Sequence, residues 1–373
     1  MEKNYGIMIN EKLKVAIFAQ EIVNRGGAER IILEQARLFN ADIYTGKYDR
    51  KTTFDEFKNM KIEIVPSKFS GRLNSLYLYY KFRKMKLRKK YDLYILHGGA
   101  VLGLAKKYHP NLWYCHCPIR WLYDMYKDEL NKMKGAKKIV FIIISSILRI
   151  IDKNNVMYVD KIVTNSINVK KRVKRIYRRN SDVVYPFVDI YKFKWISQKD
   201  YYLSTGRIDS IKRPHLAVNA FKKMPDKKLK VASGGPELDK IKKLAKGYNN
   251  IEILGWVSEE KLKELYGNCI ASLYLSYKED FGIVPIESMS CGKPCIVTDQ
   301  GGFKETVING KTGFRINPLK QDEIIKAVNF MDKKNAFKMR KSCEERARLF
   351  SIKYFDENMK KTAKEVIKKQ LKI

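Results

Sequence analysis

The sequence predicts an α/β fold of two Rossmann-like domains, and three observations carry that expectation. The chain has 373 residues, long for one domain and sufficient for two that each bury a core. Short apolar runs of strand character alternate with helical or polar segments, as a doubly wound sheet requires. After Val188-Asp189 the pattern restarts with a new strand, loop and helix. The domains are therefore expected at 1–190 and 191–350, with 351–373 forming a long amphipathic helix.

Lys and Arg number 76 against 40 Asp and Glu, a formal charge of +36. Such an excess calls for an anionic partner: nucleic acid, an anionic membrane surface or a phosphorylated substrate. The basic runs carry no nucleic-acid-binding motif and no aromatic stacking platform, so no nucleic-acid partner is expected. The six cysteines form no secreted-domain framework and no signal peptide precedes the first strand, which points to a cytoplasmic protein whose opening residues lead into that strand. No apolar run approaches the ~20 residues of a spanning helix. The longest, IVFIIISSIL at 139–148, is bounded by Lys137, Lys138 and Arg149. It is read first as a buried core helix and second as an interfacial membrane helix.

In chain order, KVAIFAQ at 14–20 is a buried strand, followed by Gly26-Gly27 and a helical period over Ala28–Phe39. This strand, glycine loop and helix lacks the full G-x-G-x-x-G fingerprint and fits phosphate binding and a plain tight turn equally. ADIYTG, KIEIVP and YDLYILHGG are further strands; the last carries His97 at its end, a position where sites occur, although a structural histidine is the first reading for it taken alone. KFRKMKLRKK at 81–90 interleaves seven basic residues with Phe82, Met85 and Leu87. It suits anionic headgroups, each basic residue contributing about 1 kcal/mol near such a surface, or a solvated helix face. LWYCHCP is a strand broken by Pro118. Cys115, His116 and Cys117 alternate faces and have no complementary pair at zinc spacing, so metal binding is not expected and His116 reads as a ligand-contacting residue.

The second half opens with YYLSTGRIDSIKRPHLAVNAF, whose loop holds Arg207, Lys212 and Arg213, cations suited to a leaving diphosphate. A strand and turn at Gly234-Gly235 and a strand ending at Gly255-Trp256-Val257 follow, with Ser258 placed to cap the next helix. Ser276–Thr298 then reads as loop, helix and strand: Glu279 and Glu287 flank a loop, Pro285 pre-sets the first helical turn and Gly292 ends the helix. A helix start offers N–H groups to phosphate while carboxylates accept from hydroxyl pairs, so a ligand with a diphosphate and sugar hydroxyls would use the whole segment. An ordinary βαβ connection with a glutamate complementing the helix dipole is the other reading.

The E-x7-E spacing from Glu279 to Glu287, with F-G between and C-G-K-P after, resembles the signature of the family-4 retaining glycosyltransferases of GT-B fold. YCHCPIRWLYD, DKIVTNSINVKKRVKRIY and VVYPFVD resemble the WbaZ-like mannosyltransferase branch. The resemblance runs from Gly27 to the terminal helix, with Cys117 and Phe187 standing where relatives more often have Thr and Pro. It implies two domains facing a cleft and a terminal helix crossing back to the first. Glu279 would hold hydroxyls of the transferred sugar and Glu287 those of the ribose. Arg207 and Lys212, in a G-R-x-x-x-x-K pattern, would take the diphosphate. Gly26, Gly27, Gly235, Val257 and the N–H groups of Phe281, Gly282, Ile283 and Val284 would complete the donor site. His116 would lie near the sugar, with His97 and Arg120 on the acceptor side. The implied reaction is hexosyl transfer from GDP-mannose, or alternatively from UDP-glucose or UDP-GlcNAc. The implied acceptor is a lipid-linked or other saccharide at the inner face of the membrane, which 81–90 would contact. No metal or other cofactor is expected.

Overall fold

A computed structural model of the protein describes residues 13–370 apart from 68 and 70; most of the stretch read as a leader, 1–12, lies outside the described residues. The chain forms two compact units. One comprises the chain up to Tyr185 together with the stretch from Asp356; the other is Pro186–Phe355.

In the first unit seven parallel strands, β1 (Val15–Ala19), β2 (Asp42–Thr45), β3 (Ile62–Ile64), β4 (Leu93–His97), β5 (Asn111–Cys115), β6 (Lys161–Thr164) and β7 (Asp182–Val183), lie in the order β3-β2-β1-β4-β5-β6-β7. Every residue of β1, β4 and β5 is buried, because helices cover both faces of a parallel sheet; this is why the three read as unbroken apolar runs. The helices are α1 (Gly27–Phe39), α2 (Gly71–Lys84), α3 (Tyr126–Asn131), α4 (Ala136–Met157) and α5 (Ile167–Tyr177). α1 ends where Asn40 turns left-handed, and the Ser166 hydroxyl caps α5 by accepting the Val169 amide.

One expectation is narrowed here and one is corrected. In 81–90 the helix stops at Lys84, Phe82 is wholly buried, and Met85 and Leu87 pack on the core cluster. The apolar positions of that run turn inward, wholly at Phe82 and partly at Met85 and Leu87, so a contact of 81–90 with a bilayer would rest on its exposed basic residues. Conversely, IVFIIISSIL is no core helix: α4 buries Phe141, Ser145, Asp152 and Val156, while Ile139, Val140, Ile142, Ile143, Ile144, Ile147 and Ile150 are exposed. A helix apolar on every side can bury only the side its neighbours cover.

The second unit holds β8 (Tyr202–Thr205), β9 (Leu229–Ala232), β10 (Ile251–Gly255), β11 (Ser272–Tyr274), β12 (Cys295–Thr298) and β13 (Gly313–Ile316), again all parallel, in the order β10-β9-β8-β11-β12-β13. Its helices are α6 (Pro214–Phe221), α7 (Leu238–Ala245), α8 (Glu259–Asn268), α9 (Val284–Ser290), α10 (Phe303–Thr306), α11 (Gln321–Phe330), α12 (Lys333–Lys338) and α13 (Arg340–Arg348), after which α14 (Ile352–Gln370) begins. The turn closing α9 is pinned from below. Lys293 is wholly buried, donates to the Ser197 carbonyl and lies 3.3 Å from the Trp195 ring centre. Burial lowers its pKa to about 8.

Candidate functional site

In both sheets the strand order reverses once, between β8 and β11 in one and between β1 and β4 in the other. Adjacent loops diverge at such a point and leave a crevice at the strands' carboxyl ends.

In the second unit the loop after β8 is folded by Asp209, whose Oδ1 accepts the amides of Ile211 at 2.9 Å and Lys212 at 2.8 Å. Arg213 follows in the left-handed region as the N-cap of α6, with Pro214 opening the helix. This turn delivers the Lys212 ammonium to the Glu279 carboxylate at 2.7 Å, with 30% and 15% of the two side chains exposed. Two candidate site residues distant in sequence thus meet at the crossover. The Tyr277 amide donates to Ile211 O at 2.7 Å, and Arg213 Nε to Leu275 O at 3.0 Å, tying the loops after β8 and β11 together. Burial lowers the Arg213 pKa. Arg207 stands apart: its side chain is 67% exposed and makes a long, 3.7 Å pair with Asp209.

The loop from Ser276 to Ile283 turns at Lys278 and Gly282, both with positive φ. A Cβ on Gly282 would lie 2.5 Å from the Phe303 ring, so glycine is required there for space as well as for conformation. Gly302 donates to Glu279 O at 3.0 Å. The first internal bonds of α9 are Ile286 N and Glu287 N to Ile283 O, so the amides of Gly282, Ile283 and Val284 stand ahead of the helical ladder. Glu287 is only 6% exposed. Its Oε2 accepts the Tyr266 hydroxyl at 3.2 Å; that hydroxyl in turn accepts from Tyr274 at 3.2 Å and lies 2.7 Å from Thr205 Oγ1. Burial holds both phenols far above their usual pKa, as neutral donors. Sequence reading missed this hydroxyl cluster; the position of Thr205 at the carboxyl end of β8 was the signal that could have pointed to it. At the neighbouring edge, the Gly234-Gly235 turn packs on Ile208, with Ile208 N donating to Gly234 O at 2.9 Å. A side chain on Gly234 would run into Trp256, which brings Gly235 and Val257 into adjoining loops.

In the first unit Gly26 caps α1 and Gly27 is its first residue; nothing lies within 4 Å of a Cβ built on Gly27. The loop already holds an anion of its own. The buried Glu29 carboxylate accepts backbone N–H groups of Val23, Asn24 and Glu29, and burial raises its pKa. One strand away, His97 is 3% exposed, with Nε2 2.7 Å from Gln35 Oε1 and Nδ1 3.0 Å from His116 Nε2. Gln35 Nε2 faces the Met359 thioether at 3.6 Å, which can only accept. The Gln35 carbonyl therefore faces His97, which donates from Nε2 and accepts at Nδ1 from His116 Nε2–H, and His116 keeps a bare Nδ1. Burial lowers both pKa values, that of His97 well below the usual range and that of His116 to about 4. Gln35, mid-helix in α1, gave no signal in the sequence. Arg120 pairs with Asp124 at 3.3 Å, which Arg172 also approaches at 3.4 Å, and Arg172 donates to Cys117 Sγ at 3.1 Å. Nearby, Gln20, Gly99, Ile119, Trp121, Leu148 and Asp152 help to line a cavity of about 150 Å³. Among the described residues no three His, Cys, Asp or Glu side chains gather as metal ligands would.

Residues 189–350, which include every one of these second-unit groups, match the family described as glycosyl transferases group 1. The chain is a glycosyltransferase. The alpha-1,3/1,6-mannosyltransferase ALG2 of Dictyostelium discoideum is 25% identical to it, over 95% of this chain and 99% of that protein. Sucrose-phosphate synthase from Thermosynechococcus elongatus superposes with a TM-score of 0.77 at 17% identity, over 95% of this chain and 99% of that one. The Anabaena protein HepE, solved with UDP and glucose, gives 0.72 at 16% identity over 94% and 99%. At these identities the solved structures speak for the fold of the glycosyltransferase, two Rossmann-like α/β units of the GT-B kind.

Proposed function

We propose that this glycosyltransferase is a retaining mannosyltransferase of the family-4 type that moves mannose from GDP-mannose to a lipid-linked saccharide. The observation that carries the reading is the Lys212–Glu279 pair at the crossover of the second sheet; the mannosyltransferase name of a relative aligned over 95% of the chain supports the choice of sugar.

In this reading Glu279 accepts hydrogen bonds from hydroxyls of the transferred sugar. Lys212, which Glu279 positions, neutralises the charge that develops on the diphosphate, and the loosely held Arg207 joins it. The amides of Phe281 to Val284 take phosphate oxygens. Gly235 and Val257 flank the base. Glu287, oriented by Tyr266, binds the ribose. The C1–O bond to the diphosphate breaks as a C1–O bond to the acceptor hydroxyl forms on the same face, and the acceptor proton passes to a phosphate oxygen of the leaving nucleotide. His97 and Arg120 belong to the acceptor side, where the bare Nδ1 of His116 accepts a hydrogen bond from an acceptor hydroxyl. The cations supply the electrostatic stabilisation, and no metal is part of the reading. The enzyme works at the cytoplasmic face of a membrane, to which it attaches peripherally.

The test is nucleotide release from GDP-mannose, UDP-glucose and UDP-GlcNAc, with and without a membrane lipid extract. Lipid-dependent GDP release is the expected outcome. UDP release alone would replace the donor, and release from none of the three would refute the function.

A further inference from the structure

The 22-residue helix α4 has a length of about 33 Å. Two of its charged side chains are turned into the protein. Asp152 Oδ2 accepts the hydroxyls of Tyr123 and Tyr177, each at 2.7 Å. Arg149 donates from Nε to Leu122 O at 2.7 Å and lies over the Tyr126 ring at 4.0 Å. Outward, Ile139, Ile143, Ile147 and Ile150 follow one another at helical spacing, each more than half exposed, with Val140 and Ile144 beside them. Of the polar residues in this stretch Ser145 is buried and Arg149 is engaged inward, and the exposed Ser146 donates its hydroxyl to Ile142 O at 2.9 Å within the helix. The result is three turns of aliphatic surface without an outward charge, a face of the kind that marks an interaction site.

The charges around that face indicate what covers it. Lys137 and Lys138 stand at its start, Lys127, Lys132 and Lys134 lie just ahead, and Lys153 stands at its end; Asp128 and Glu129 are the acidic residues of the approach, and Glu129 is paired with Lys132. An aliphatic stripe with a lysine cluster at one end and Lys153 at the other complements a surface that is anionic above and hydrocarbon beneath. A second copy of this strongly basic chain would set lysine against lysine. None of the described helices is long and apolar enough to cross a membrane.

We propose that α4 docks the protein on an anionic lipid bilayer, lying in the headgroup plane with Ile143 and Ile147 toward the acyl chains. This surface takes the part that sequence reading gave to 81–90. A lipid-linked acceptor, if that reading holds, would meet the enzyme there, but the docking itself does not depend on the reaction.

The experiment is co-sedimentation of the full chain with phosphatidylcholine vesicles, with and without phosphatidylglycerol, in the absence of any sugar nucleotide, alongside sedimentation velocity without lipid. The wild type is expected to pellet with the anionic vesicles. Ile143→Asp/Ile147→Asp should weaken that partition at least about tenfold. Ile143→Ala/Ile147→Ala, which keeps helix propensity, should weaken it several-fold with an unchanged circular-dichroism spectrum. Equal pelleting of wild type and both variants would overturn the proposal. A lipid-free dimer that the Asp variant dissolves would also overturn it, assigning the face to a second copy. Neither result bears on nucleotide release, so this proposal and the donor reading fail separately.

Discussion

The two crossover points differ in one property, charge. At the second sheet a lysine and a glutamate meet partly in solvent, where an ammonium can change partners as a polyanion arrives. At the first sheet two neutral imidazoles and an amide, Gln35–His97–His116, form a buried chain in which burial opposes protonation. The same topology thus yields one edge where opposite charges meet partly in solvent and one where neutral groups exchange hydrogen bonds in the interior. Parallel-sheet geometry supplies the place, and the loops supply the chemistry.

The sharpest way to break the contrast is Lys212→Ala, expected to lower nucleotide release by about 10²–10³-fold, with kcat falling more than donor affinity. An equal loss in KM would reduce Lys212 to a ground-state contact. Next, His116→Ala should lower transfer to the acceptor by about 10²-fold while leaving hydrolysis of the donor by water intact; a parallel loss of both would move His116 to the donor side. Tyr266→Phe removes the hydroxyl that Glu287 accepts and should cost about 1–3 kcal/mol, read as a lower thermal midpoint together with weaker nucleotide binding by calorimetry.

The histidines also set a pH signature. With the folded pKa of His116 near 4 and that of His97 lowered as well, the unfolded chain binds more protons between about pH 6.5 and 4. Stability therefore falls as pH drops through that window, and His116→Gln should flatten the thermal midpoint across it. The smallest effect is expected at Gly27→Ala. Nothing stands within 4 Å of the added carbon, so stability should stay within about 0.5 kcal/mol. A change in donor affinity alone, by titration calorimetry, would sharpen the role of that loop.

Legibility in the sequence followed the range of the interaction. VAIFA and LYILH announced themselves as buried strands, and Pro285 and Gly292 bounded α9, because period and turn chemistry act over a few residues. Glu279 and Lys212 were each visible as candidate site residues, but their ion pair needs the loops after β8 and β11 to lie side by side. Tyr266 behind Glu287 and Gln35 behind His97 carried no motif at all. Each is a helix residue on an inward face, and only packing gives it a partner.

The sequence by itself determined two parallel sheets, the glycine and proline turns at their carboxyl ends, and the carboxylates and cations that those turns carry. Tertiary structure decided which of these charges meet, which are withdrawn into the interior, and which apolar residues stay in water. The run at 81–90 gave its apolar side chains to the core, whereas α4 found cover for one side only. Burial depends on what surrounding elements offer, and that is a property of the assembled fold rather than of any local pattern.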